Sequence, residues 1–149
     1  MTVATNFKQL YEIDNHRWLL ETIELLKQKQ FHELDLENLI EELEDLGSER
    51  KNKVRSLLEQ IIRHLLLLNY WEQEYDRNCH HWSAEIIGFR TQLRNRMTTN
   101  FRNYLTTELE QIYHDALKYV QKKSNLNILP QECPYTLDQL LDEDWFPPR

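Results

Sequence analysis

Residues 35–71 read DLENLIEELEDLGSERKNKVRSLLEQIIRHLLLLNYW, and the parsing of this stretch decides the fold. Leu36, Leu39, Ile40, Leu43, Leu46, Val54, Leu57, Leu58, Ile61, Ile62 and Leu65 recur at i, i+3 and i+4, the pattern of one apolar helical face. Gly47 interrupts it, and a glycine inside a helix costs roughly 1 kcal/mol relative to alanine. One parsing makes Gly47 a stop and Ser48 the cap of a new helix. The other keeps a single helix. Positions 43, 47, 50, 54, 57 and 61 alternate in steps of four and three, although Gly47 and Arg50 are not apolar themselves. A true break would be free to lose that phase. The expectation is therefore one helix from Asp35 to about Trp71, with Gly47 letting a neighbouring helix approach closely. At ~1.5 Å per residue it extends roughly 55 Å, whereas a compact domain of this size is only about 38 Å across. The helix overhangs, so either the bundle is elongated or a second chain covers the excess.

Outward from this helix, the pattern stays helical. Trp18, Leu19, Ile23 and Leu26 mark a helix near 14–29 with Asp14 as its cap, and Phe7, Leu10 and Tyr11 form a turn leading into it. Trp82, Ile86, Phe89, Leu93 and Met97 mark a third helix near 82–98. Phe101, Leu105, Leu109, Ile112, Ala116, Leu117 and Val120 mark a fourth near 101–124, with Thr99 and Asn100 as turn and capping residues. The tail, 125–149, holds all 4 prolines; within it Thr136 and Gln139 have capping-box spacing before Leu140 and Leu141. The fold class is all-α: one domain, an elongated antiparallel bundle of about four long helices, with an extended tail carrying one short helix. With 149 residues, 2 glycines and 4 prolines, a collagen-like or linker-like chain is excluded, and the composition argues against an all-β sandwich with its many turns. No run reaches the ~18 apolar residues of a membrane span. The start lacks a basic patch followed by an apolar core, and Cys79 and Cys133 form no spacing motif, which points to the reducing cytoplasm. A net charge of −7 argues against a nucleic-acid binder.

Leu36-Glu37-Asn38-Leu39-Ile40-Glu41-Glu42-Leu43-Glu44-Asp45-Leu46-Gly47 resembles the central signature of an uncharacterised bacterial family, domain of unknown function number twenty-nine. Leu10-Tyr11-Glu12 with Asp14 and Trp18, Trp82, and the tail Pro130-Gln131-Glu132-Cys133-Pro134-Tyr135-Thr136-Leu137 through Pro147 are similar to its other landmarks. Members usually carry Pro-Ser-Leu where this chain has Thr99-Asn100-Phe101. The resemblance implies an all-helical bundle and no reaction.

The residues offer three candidate sites. Ferritin-like di-metal bundles need an acid three residues before each of two histidines, but Ile13, Lys29, Ile61, Arg77, Asn78 and Gln111 hold those places here. No metal centre is expected in the bundle, and no cofactor. Between helices two and three, Trp71, Cys79, His80, His81 and Trp82 gather aromatic and titratable groups that suit a small ligand or a transition metal; the alternative is a pair of tryptophans plugging the end of a bundle. The third site is an acidic run, with eight acids and no Lys or Arg from 33 to 49. Glu37, Glu41 and Glu44 share a side, Gly47 follows, and Lys51 and Arg55 lie beyond with Arg50 and Lys53. Acid first and base second is self-complementary in an antiparallel pair, so a homodimer through the long helix is expected. A solvated acidic face is the simpler alternative. His64 reads as a core histidine bonded to a neighbour, and Glu59 with Arg63 as a one-turn ion pair. Arg90, Arg94, Arg96 and Arg102 are expected to pair with the acids of helix two; a local contact with nucleic-acid phosphates is the alternative. With no nucleophile–base–acid set and no glycine-rich phosphate loop, the reading is a non-enzymatic cytoplasmic interaction or scaffold module. A metal- or small-ligand-binding protein is the alternative.

Overall fold

The computed structural model describes residues 3–149, with side chains from Phe7 onward. Helix α3 (Leu36–Tyr70) runs through Gly47 unbroken, as the preserved phase implies. The role expected of Gly47 does not follow. A Cβ built there meets no atom of the described residues within 4 Å, so no helix among the described residues approaches it closely. Its φ is not positive either, so the backbone there does not require glycine.

The other elements are α1 (Val3–Ile13), α2 (Asn15–Lys27), a 3₁₀ turn (Phe31–Glu33), α4 (Glu72–Arg96), α5 (Thr99–Ser124) and α6 (Leu137–Leu141). There is no strand among the described residues. Three boundaries differ from the sequence reading. The turn expected around Phe7, Leu10 and Tyr11 is a helix, α1. Helix α4 begins ten residues before Trp82, because 72–81 contain no glycine or proline to stop it and only Trp71 (φ −90°, ψ 75°) leaves the helical region. Thr98, not Thr99 or Asn100, caps α5, its hydroxyl accepting from the Phe101 amide. Asp14 caps α2 by accepting from the Arg17 amide at 3.1 Å, and Thr136 with Gln139 forms the capping box of α6.

The chain divides into two compact units, residues 1–49 and 50–149. In the second, contact register fixes the topology. His64 of α3 meets Phe89 of α4, Trp71 between the two helices stacks on Trp82, and Arg50 lines a cleft together with Arg96, so α4 runs antiparallel to α3. Lys51, Arg55 and Arg63 meet Tyr104, Asp115 and Tyr119 of α5, which therefore runs parallel to α3. Val54, Leu58, Ile61, Leu65, Ile86, Leu93, Leu105, Ile112 and Val120 form a sealed core.

The tail closes this core. Leu129, Tyr135, Leu137 and Leu140 are buried in it, and the Tyr113 hydroxyl donates to the Pro130 carbonyl at 2.5 Å. Arg90, 2% exposed, donates to the carbonyls of Leu140 (2.8 Å), Gln139 (3.1 Å) and Trp145 (2.7 Å), and its guanidinium lies over the Phe146 ring. Arg94 pairs with Glu143 and Arg102 with Asp138. The arginines were expected to meet acids of helix two; Arg90, Arg94 and Arg102 hold the tail instead, because its carbonyls and acids lie along α4 and α5. His64 is the neighbour-bonded histidine expected: its Nδ1 sits 2.7 Å from the Gln60 carbonyl, and burial lowers its pKa. Glu59 and Arg63 pair one turn apart.

The first unit has little interior. Phe7, Trp18 and Thr22 are its buried side chains among the described residues. Trp18 stacks on Phe7 at 6.0 Å, meets the Tyr11 edge at 4.9 Å, and donates its indole N–H to Asp35 at 3.2 Å. Tyr11 donates to Glu42 at 2.7 Å, and Lys8 pairs with Glu37. These bonds seat α1 and the start of α2 on one face of α3, the face of Asp35, Asn38 and Glu42.

Candidate interaction surface

Helix α3 places its residues at 100° intervals, so Leu36, Ile40, Leu43, Gly47, Arg50 and Val54 line one edge. That edge is not the one α1 and α2 use. From Val54 onward the stripe is sealed, with Val54, Leu58, Ile61 and Leu65 all at 0% exposure. Before it, Leu36 is 56% exposed, Ile40 53% and Leu43 58%. Leu46, beside this edge, is also exposed.

Helix α2 repeats the situation. Leu19, Ile23 and Leu26, expected to face a core with Trp18, are exposed together with Leu20, and only Trp18 is sealed. Among the described residues, ten of the thirteen exposed large apolar side chains precede residue 50. Scattered apolar side chains are normal on a surface, but contiguous rows at helical spacing mark binding faces.

The electrostatics of this unit are one-sided. Residues 1–49 contain twelve acids and four bases, a net −8; residues 50–149 contain thirteen and fourteen, a net +1. A cleft of about 310 Å³ beside Phe7 is lined by Leu25, Gln30 and the acids Glu21, Glu24 and Glu33. The carboxylate of Glu42, accepting from Tyr11, pushes that hydroxyl up to about 12.

Of the residues singled out for self-association, Glu41 and Glu44 are exposed, and Glu37 is exposed while paired with Lys8. Lys51 lies over the Tyr104 ring at 4.6 Å, and Arg55 binds Asp115 at 2.6 Å with Glu108 at 3.7 Å. These two cations already have partners within the second unit.

The junction residues lie near the Trp71 break. Trp71 and Trp82 stack at 6.0 Å and 15°, Trp82 buried and Trp71 half-buried. Cys79 is a half-buried free thiol, and His80 and His81 are exposed. Among the described residues no group of three His, Cys, Asp or Glu side chains is placed to hold a metal.

A family model, domain of unknown function DUF29, matches residues 10–146. The chain belongs to the DUF29 family. No curated protein and no solved structure matches it. No helix among the described residues is long and apolar enough to cross a membrane.

Proposed function

We propose that this DUF29 protein is a non-enzymatic interaction module whose N-terminal unit docks another polypeptide chain. One observation carries the reading: the apolar edge of α3 that is sealed from Val54 onward continues in phase, bare, through Leu43, Ile40 and Leu36. Leaving such a row in water forgoes about 25 cal/mol for each Å² of apolar area a partner would cover.

Self-association through α3 is one form such docking can take, because acids precede bases along the helix. Two antiparallel copies would set the acids of one against Arg50 and Lys53 of the other, since Lys51 and Arg55 are engaged within the chain. Sedimentation equilibrium from micromolar to hundreds of micromolar protein tests this, beside the double variant Ile40→Glu/Leu43→Glu. A concentration-dependent dimer that the variant dissolves supports self-association. A monomer at every concentration, with the variant equally stable, rejects the dimer and leaves the face open to a different chain. A double variant that unfolds would place the row inside the fold and overturn the docking reading itself.

A further inference from the structure

Resting on that docking reading, we infer that the chain covering the bare edge of α3 is a basic amphipathic helix of a different protein. The length comes from α3. The bare row with its flanking acids, Leu36 to Glu49, spans about four turns, roughly 20 Å, so the complementary element is a helix of about fourteen residues. The apolar side of the partner follows from the spacing: Leu36, Ile40 and Leu43 stand at i, i+4 and i+7, the rows met by helix-in-groove recognition.

Its sign follows from what flanks the row. Glu37, Glu41, Glu42, Glu44, Asp45 and Glu49 share these turns with no Lys or Arg, and Glu41, Glu44 and Asp45 are exposed. Lysines and arginines on the incoming helix, one turn from its apolar residues, would find carboxylates on the flanks. A second copy fits less well. It brings another unit of net −8, and of its four nearest cations, Arg50, Lys51, Lys53 and Arg55, two are already held by Tyr104, Asp115 and Glu108. Anionic membranes and nucleic acids are repelled by the same acids. The cleft beside Phe7, with Glu21, Glu24 and Glu33, has the same preference for positive charge.

Fluorescence anisotropy of labelled synthetic peptides against the full chain tests the inference. The probes are an eighteen-residue leucine–lysine amphipathic helix, its leucine–glutamate counterpart, and a scramble of the first that keeps composition but loses the apolar face. The lysine helix is expected to bind at least about tenfold more tightly than either control, and more weakly as salt rises from tens to hundreds of millimolar. Glu41→Gln/Glu44→Gln/Asp45→Asn should weaken it about tenfold, and Ile40→Ser/Leu43→Ser should weaken it at least as much. Circular dichroism is expected to show both variants folded. Equal binding of the lysine helix and its scramble would reduce the effect to bulk charge and overturn the inference. Equal binding of the lysine and glutamate helices would overturn the sign while leaving the docking face standing. Binding of no peptide, together with a monomer at all concentrations, would remove the docking reading as well.

Discussion

The two ends of α3 carry one hydrophobic pattern and meet different surroundings. From Val54 to Leu68 the pattern is met by α4, α5 and the tail, and its side chains are sealed. From Leu36 to Leu46 the stripe continues, yet the covering helices of that unit sit on another face, held by Trp18 on Asp35, Tyr11 on Glu42 and Lys8 on Glu37. Periodicity records that an edge is meant to be buried; it does not say by which chain. Charge separates the ends further, −8 in the first unit and +1 in the second.

The comparison is most exposed to a paired truncation. Ile61→Ala, at a fully sealed position, should cost about 2–5 kcal/mol in urea denaturation, a transfer loss plus a cavity. Leu43→Ala, in phase with it on the same helix, should stay within about 0.5 kcal/mol in the isolated protein. Equal costs would mean that the two ends share one interior. Arg90→Ala comes next. It strips charged donors from three tail carbonyls and should cost about 3 kcal/mol. Arg90→Lys should recover only part of that, since an ammonium cannot reproduce the planar fork. Limited proteolysis should then cut first within 136–149 and leave the N-terminal unit's pattern unchanged.

A smaller effect separates the ends by pH. Burial depresses the His64 pKa, so the folded chain binds its proton less readily than the unfolded chain does. Its contribution is therefore fully present above the unfolded value of about 6.5, and is lost as pH falls from there through the folded pKa. Wild type should therefore lose melting temperature relative to His64→Leu as pH drops from 8 to 5.

Much of this fold was legible because helical periodicity is local. The unbroken α3, the Asp14 cap and the Thr136–Gln139 box are each decided by residues within one or two turns. Arg90 was not legible as a tail clamp, since its partners lie about fifty residues on and are main-chain carbonyls without sequence identity. Leu19, Ile23 and Leu26 misled for a related reason: apolar spacing looks the same whether the cover comes from this chain or from another. In the candidate surface, the acidic run was visible at once. What composition could not show was that Lys51 and Arg55, the bases that made a self-complementary pair attractive, would be taken by Tyr104, Asp115 and Glu108.

Gly47 offers the finest test, because it lies where the bare stretch meets the sealed one. It has helical backbone, no positive φ, and no atom of the described residues within 4 Å of a Cβ. Alanine there removes backbone freedom from the unfolded chain and adds no clash. Gly47→Ala should therefore stabilise the isolated protein by about 0.5–1 kcal/mol, raising its melting temperature by about 1–4 °C. The same methyl stands in phase with Leu43 and Leu36, on the edge assigned to an incoming helix. If that helix packs directly over Gly47, the added methyl will weaken the leucine–lysine peptide while strengthening the free protein. Two measurements on one variant then move in opposite directions. A variant that is both less stable alone and unchanged toward the peptide would mean that a segment of this chain already lies over the glycine, and the contrast between the two ends of α3 would fail.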